Sequence, residues 1–313
     1  MFETGDSGGI DAATPLHIAV VVVHGIRTDG AGYSSLFQED VMSRLTRSQR
    51  ERVEWREVFW GDVTRGNQRA YFERAKSRAK LAYRGLRWEF VLQGLGDAAS
   101  YIRTRNTGGA AYHKIQDRLT AALDQLDVPD LGDRLLVLVG HSLGCQIISS
   151  YVWDRNRLKH ESAKTTGENA AASDEPAVDE PAVDESAFRR LDTLAGIVTL
   201  GSNIPLFTFA FDPKRVIPIT RARAPGERAA FPGRALAPEV AAKARWLNFF
   251  SPFDVLGYPL KPLNPAYDQA VDADIAVWSG RWMFWHPLRA HVGYWRNRTV
   301  INKTARMLKG LLE

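Results

Sequence analysis

The sequence predicts an α/β fold, with a mostly parallel central sheet and helices on both faces. Three observations carry this expectation. Residues 18–23 (IAVVVV) and 135–139 (LLVLV) are short, wholly apolar runs. A strand with one wet face would alternate, so these runs read as strands buried on both sides. Segments with an apolar residue every third or fourth position lie between the runs, which is the spacing of helices that bury one stripe. Both runs also stop abruptly at glycine turns, His24-Gly25 and Gly140-His141-Ser142-Leu143-Gly144. Strands that alternate with amphipathic helices are joined by crossovers, and crossovers make parallel sheets.

The elements follow in order. Residues 17–23 form the first strand. Residues 34–45 have helical spacing at Leu36, Phe37, Val41 and Leu45, and residues 53–60 alternate as a second strand. Residues 67–92 read as a helix through Tyr71, Ala75, Ala79, Ala82, Leu86 and Phe90. The pattern returns over 112–126 through Ile115, Leu119, Ala122 and Leu126. Residues 134–139 make a second buried strand, and 145–153 a helix after the serine turn. Residues 194–200 read as a strand, and 245–250 as the last clear one. The segment 202–244 between them is rich in Pro and Arg and could hold a lid or cap. Residues 292–312 contain the closing helix.

Residues 160–187 change character. The string DEPAV-DEPAV-DESAF, which starts at Asp174, has too few large apolar side chains to bury a core. It is expected to be a disordered acidic insertion in a single domain spanning 16–313, after a flexible stretch over 1–15.

Composition narrows the function classes. The chain has 313 residues, enough for one large α/β domain. Its single cysteine, Cys145, forbids an intrachain disulfide, and with no signal-like start this favours the cytoplasm. Net charge is +5 but uneven. Residues 65–105 hold ten Lys/Arg against three acids, a local +7, whereas 161–187 hold eight Asp/Glu against Lys164, a local −7. The basic segment could touch an anionic surface or simply be a solvated helix face. It carries no recognition motif, so a nucleic-acid role is not expected. There is no His-Glu-x-x-His helix, cysteine cluster or phosphate-binding glycine loop, so neither a metal nor another cofactor is expected.

The chemistry concentrates in the turn at 140–144. A serine hydroxyl is a poor nucleophile at neutral pH and needs a base, an orienting group and oxyanion donors. The G-x-S-x-G turn exposes its serine between a strand and a helix, and its glycines let backbone pass closely. Here an apolar strand precedes Ser142 and a helical segment follows it.

Val21-Val22-Val23-His24-Gly25, followed downstream by Gly140-His141-Ser142-Leu143-Gly144, resembles the α/β-hydrolase superfamily, specifically its lipase/esterase-like members. The likeness covers the chain from about residue 16 onward, apart from the acidic insertion. Residues 86–126, with Gly96-Asp97-Ala98-Ala99-Ser100-Tyr101, are similar to a segment of bacterial α/β-hydrolase-like proteins of unassigned substrate. The resemblance implies Ser142 as nucleophile, then an acid, then a histidine. It implies oxyanion donors at the Leu143 amide and at Ile26, with Arg27 as the alternative. The acid should follow a late strand, which favours Asp254 over Asp212. Only His286 and His291 come after Asp254. His291, in Ala290-His291-Val292-Gly293-Tyr294-Trp295, resembles the family's histidine loop. His24 is expected to order the oxyanion loop, with Gly25 and His141 supporting the site. Cys145 reads as a small buried helix residue. Trp278, Trp282, Phe284, Trp285 and Trp295 could line an acyl pocket or simply form a packed subcore.

The expected reaction is cleavage of a carboxylic ester, with a small-molecule or lipid-like substrate. Two alternatives remain open. One is an α/β-hydrolase-like interaction module without catalysis, and the other is acyl transfer by the same three residues.

Overall fold

A computed structural model of the chain describes residues 15–26, 28, 30–80, 82–101, 109–128, 134–165, 185–209, 219–222, 230–279 and 287–313. Six strands form one all-parallel sheet: β1 (Ile18–Val23), β2 (Val53–Val58), β3 (Leu135–His141), β4 (Leu194–Leu200), β5 (Arg245–Phe250) and β6 (Ala273–Ala276). Their order is β2-β1-β3-β4-β5-β6. The helices are α1 (Ser35–Met42), α2 (Arg47–Arg50), α3 (Asp62–Arg78), α4 (Arg84–Leu86), α5 (Gly96–Tyr101), α6 (Ala110–Leu126), α7 (Leu143–Thr165), α8 (Ile204–Thr208), α9 (Pro238–Lys243), α10 (Pro265–Ala270), α11 (Pro287–Val292) and α12 (Arg298–Leu312). Among the described residues, no helix is long and apolar enough to cross a membrane.

The apolar runs are buried for the expected reason. Ala19, Val21 and Val23 of β1 pack on one face with Ile115, Leu119, Ile147 and Ile148 of α6 and α7. Ile18, Val20 and Val22 pack on the other face with Phe37 and Val41 of α1 and Leu308 of α12. Successive strand residues point to opposite faces, so a sheet covered on both sides needs unbroken apolar strands.

The strand order places the site. From β1 the chain crosses to β2 on one side, and β3 then returns to the other side of β1. The order therefore reverses between β1 and β3, and ligands in such sheets bind in the crevice at that reversal, outside the carboxyl ends. β1 and β3 pair from Ile18↔Leu135 to Val23↔Gly140. The His24-Gly25 loop and the Ser142 turn consequently leave the sheet side by side.

The structure corrects several expectations. β5 is not the last strand: β6 pairs with it from Leu247↔Ala273 to Phe250↔Ala276. It is a four-residue edge strand, half-exposed and without an apolar run, so it carries no pattern to read. The helix expected over 67–92 is broken after α3. Ala79 is extended, Tyr83 sits in the left-handed region at φ 54°, and a π-helical stretch occupies Arg87–Leu95. The reversal lets Trp88 stack on Phe72, with ring centroids 5.3 Å apart, and this contact outweighs the helix propensity of the linking residues. The closing helix begins at Arg298, where Asn297 Oδ1 accepts from the Thr299 and Val300 amides.

Both edges of the expected acidic insertion belong to the fold. α7 continues to Thr165, and Glu185 forms an ion pair with Arg155 beside the buried Phe188 and Leu191. Residues 166–184 and 1–14 lie outside the described residues. The 202–244 excursion divides. Ala230, Phe231, Leu236 and Val240 are buried, and the Gly233 and Ala235 amides donate to Leu194 O and Asp192 O, each at 2.8 Å. The part after residue 229 is therefore core. Residues 210–218 and 223–229 lie outside the described residues.

Candidate active site

Ser142 joins β3 to α7 with φ at 54°. The left-handed region costs a residue with a Cβ about 1–2 kcal/mol, and backbone strain of this kind collects at functional sites. The turn is held from both sides: the Ser142 amide donates to Leu200 O at 2.9 Å, and the Cys145 amide donates to Ser142 O at 2.9 Å. Leu143 is the first residue of α7, so its N–H has no carbonyl four residues back in the helix. The helix start also favours negative charge nearby.

Two glycines make the approach of the two loops possible. A Cβ on Gly144 would lie 2.2 Å from Val23 O, and a Cβ on Gly25 would lie 2.5 Å from Ser142 Cβ and 3.1 Å from its Oγ. The Ser142 hydroxyl therefore sits directly against the loop that follows β1.

His24 fixes that loop. Its Nδ1 lies 2.5 Å from Gly25 O, which can only accept, so Nδ1 carries the proton. Nε2 then accepts from the Trp60 amide at 3.1 Å, while Trp60 Nε1 donates to His24 O at 2.9 Å. The two rings stack at 4.8 Å. Burial lowers the His24 pKa to about 4, so the ring is neutral at physiological pH. Both of its nitrogens are engaged, which leaves none to take a proton.

Asp254 and His291 meet in the same region. His291 Nδ1 lies 3.0 and 2.8 Å from the two Asp254 oxygens. Carboxylate oxygens accept, so Nδ1 donates, and the tautomer this selects has its lone pair on Nε2. Nε2 is buried and has no hydrogen-bond partner among the described residues. Asp254 also accepts from Tyr294 Oη at 2.7 Å and from the Leu256 amide at 2.9 Å. Burial alone would raise the Asp254 pKa. The bond and charge of His291, the Tyr294 phenol and the Leu256 amide overcome it and hold the carboxyl below its ordinary value. The Tyr294 phenol is pushed far up by burial and by the Asp254 charge, so it remains a donor.

His141 connects the serine turn to His291. Its Nε2 donates to His291 O at 2.7 Å, and the two rings lie 4.9 Å apart. Burial, then the neighbouring His291, lower the His141 pKa to about 3, so it too is neutral. Cys145 is buried, and burial raises its thiol pKa to about 12, which leaves it a protonated core residue.

The structure thus brings Ser142, His141, Leu143, Gly25, Ile26 and His24 to the β1/β3 crevice, with Asp254 and His291 bonded to each other beside them. His291 lies in the short helix α11 rather than in an irregular loop. Asp212, His286 and Arg27 lie outside the described residues, as do Trp282, Phe284 and Trp285. The other two tryptophans separate: Trp278 is 73% exposed and packs on Phe253, whereas Trp295 packs between Phe37 and His141. Sequence reasoning missed Tyr294. Its signal is its position three residues after His291, one helical turn further along.

Models of known protein families give no match to the chain, and no curated protein matches it significantly.

Proposed function

We propose that the chain is a serine hydrolase of the α/β-hydrolase type that cleaves carboxylic esters through an acyl-enzyme. One observation carries the reading: Asp254 takes Nδ1–H of His291 and leaves the bare Nε2 as the only nitrogen able to receive a proton. His24, by contrast, has both of its nitrogens engaged.

In this mechanism Ser142 Oγ attacks the ester carbonyl while His291 Nε2 takes its proton. Asp254 stabilises the imidazolium without becoming protonated. The amides of Leu143 and Ile26 hold the oxyanion. The proton returns from His291 to the leaving alkoxide, and water activated by the same nitrogen then releases the acid. The neutral His24 and His141 add no positive charge that would oppose formation of the imidazolium.

The substrate is a small ester with an apolar acyl group. Phe253, Val255, Trp278 and Val292 are exposed beside Asp254 and His291 and supply an apolar rim. The exposed Leu206 of α8 and Phe209 just after it are where the reading places control of substrate access. The basic segment 65–105 is a surface for anionic contact, and a lone buried thiol suits the cytoplasm.

The test is turnover of short p-nitrophenyl esters by purified wild type, Ser142→Ala, His291→Ala and Asp254→Asn. Removing a triad member costs about 10⁴-fold or more in kcat. A folded Ser142→Ala variant that retains wild-type turnover would end this reading.

A further inference from the structure

A groove lies over β5 and β6 beside α12, and its volume is about 550 Å³. Arg245 and Ala273, the first residues of β5 and β6, line it. Ser142 follows the last residue of β3. In a parallel sheet these are opposite ends, so the groove is remote from the ester site.

Its floor is apolar and incompletely covered. Successive strand residues alternate between faces, so Arg245 and Leu247 of β5 share a face, as do Ala273 and Ile275 of β6. Burial on that face falls away across the sheet. Val198 of β4 is fully buried, its β5 neighbour Leu247 is half-buried, and so is Ile275 of β6. A parallel sheet normally has both faces covered. Lys303, Arg306, Met307 and Gly310 form the side wall, and their helical spacing puts them on one face of α12. Met307 brings a flexible apolar side chain that adapts to what lies against it.

The rim is cationic. Lys243, Arg245, Lys303 and Arg306 face a single acid, Asp272. That acid is occupied: it pairs with Arg221 and accepts from the Trp246 amide at 2.7 Å. The next acid along β6, Asp274, belongs to the other face, where it accepts from Asn248, Leu260 and Lys261. Among the described residues none of the four cations is in an ion pair. Arg245 is nevertheless held in place, because its Nη1 donates to Ala242 O and Ala244 O, both at 2.7 Å. Its Nε and Nη2 remain as donors on an anchored guanidinium.

An apolar floor under a cationic rim matches an amphiphile. An aliphatic chain completes the cover of Leu247 and Ile275, and an anionic head meets guanidinium donors that suit a carboxylate. The volume falls within the roughly 300–1,000 Å³ of small-molecule sites.

We propose that this groove binds an aliphatic carboxylate. The chain lies on Leu247, Ile275 and Met307, and the carboxylate is held by Arg245 and Arg306 with Lys243 and Lys303 beside them. Binding of an anionic amphiphile stands on the groove alone. The choice of a carboxylate rests on the ester-hydrolase reading, since cleavage of an ester with an apolar acyl group releases such an acid.

The probe is octanoate, titrated into protein with isotope-labelled methionine methyl groups and followed by nuclear magnetic resonance. The Met307 signal, assigned with Met307→Leu, reports on the groove itself, and Met42 on α1 is the internal control. Circular dichroism melts establish that Arg306→Gln is folded, as its exposed position leads one to expect. Saturable movement of the Met307 signal, weakened about tenfold or more by Arg306→Gln and absent with octyltrimethylammonium, supports the site; tenfold corresponds to about 1.4 kcal/mol. A Met307 signal that does not saturate, or that moves equally in folded Arg306→Gln or with octyltrimethylammonium, overturns it. Octyl sulfate that moves the signal where octanoate does not overturns the carboxylate alone. The titration needs no turnover, so failure of the hydrolase reading leaves the binding result intact, and Ser142→Ala should bind octanoate at Met307 as wild type does.

Discussion

Replacing Tyr294 with Phe isolates one hydrogen bond in the candidate site. The ring stays and keeps its contact with Gly201, but the phenol loses its bond to Asp254 Oδ2 at 2.7 Å and its acceptance from the Ser251 amide at 2.9 Å. A hydrogen bond to a charged group contributes about 1.5–3 kcal/mol, and a stranded buried amide costs about 1–3 kcal/mol. Ser251 is 2% exposed, so little water reaches its amide. The two losses share one oxygen and do not simply add. The expected destabilisation is about 3 kcal/mol, which for a chain of 313 residues is a fall in melting temperature on the order of 4–5 °C. The Asp254 pKa rises towards its ordinary value because one of its stabilising donors is gone, while the His291 and Leu256 bonds remain. The carboxylate stays ionised at pH 7 but is less firmly oriented, so kcat/KM for a p-nitrophenyl ester should fall roughly tenfold, about 1.4 kcal/mol. That is far smaller than the loss expected for Asp254→Asn. Thermal melts and initial rates on the same preparation give both numbers. A Tyr294→Phe protein as stable and as active as wild type would refute the assignment of Tyr294 as a positioning residue.

Two further outcomes follow from the same geometry. Gly25→Ala places a Cβ 2.5 Å from Ser142 Cβ, so the loop or the serine must move. Ester kcat/KM should fall by about 10²-fold or more, comparable to losing an oxyanion donor, while the melting temperature changes far less; retained activity would contradict the packing of Ser142 on this loop. Stability should also fall on acidification below pH 6.5. His24 and His141 stay neutral in the folded protein down to about pH 4 and about pH 3 because they are buried, whereas the unfolded chain protonates near the ordinary histidine value of 6.5. The unfolded state therefore binds more protons in that window. Stability is full above pH 6.5 and drops by up to about 1.4 kcal/mol per pH unit for each histidine as the pH falls. Urea midpoints between pH 7 and 4.5 measure this slope, and a His141→Asn variant should show a shallower one.

The legible parts of the fold were those with one-dimensional signals. β1 and residues 135–139 of β3 are unbroken apolar runs, and β4 is interrupted only by Thr199, because the sheet is covered on both faces; such runs announce themselves without tertiary information. The Ser142 turn was legible because its glycines are dictated by backbone approach within a few residues. Asp254 and His291 were reachable only through the chain order implied by the resemblance, since nothing local marks either one; their contact spans 37 positions. Tyr294 and the His141–His291 bond escaped notice because each joins side chain to partner across the fold, where residue type alone is silent. The reversal after α3 ran against helix propensity, and only the Phe72–Trp88 contact accounts for it. β6 is an edge strand whose register comes from β5, not from its own pattern.

The most direct test of the central claim is mass spectrometry of the protein after exposure to a fluorophosphonate, with the modified residue located by peptide fragmentation. A single adduct on Ser142 is expected, absent from Ser142→Ala and strongly slowed in His291→Ala. Well-folded wild type that takes no label, or that takes it on another serine, would contradict the account.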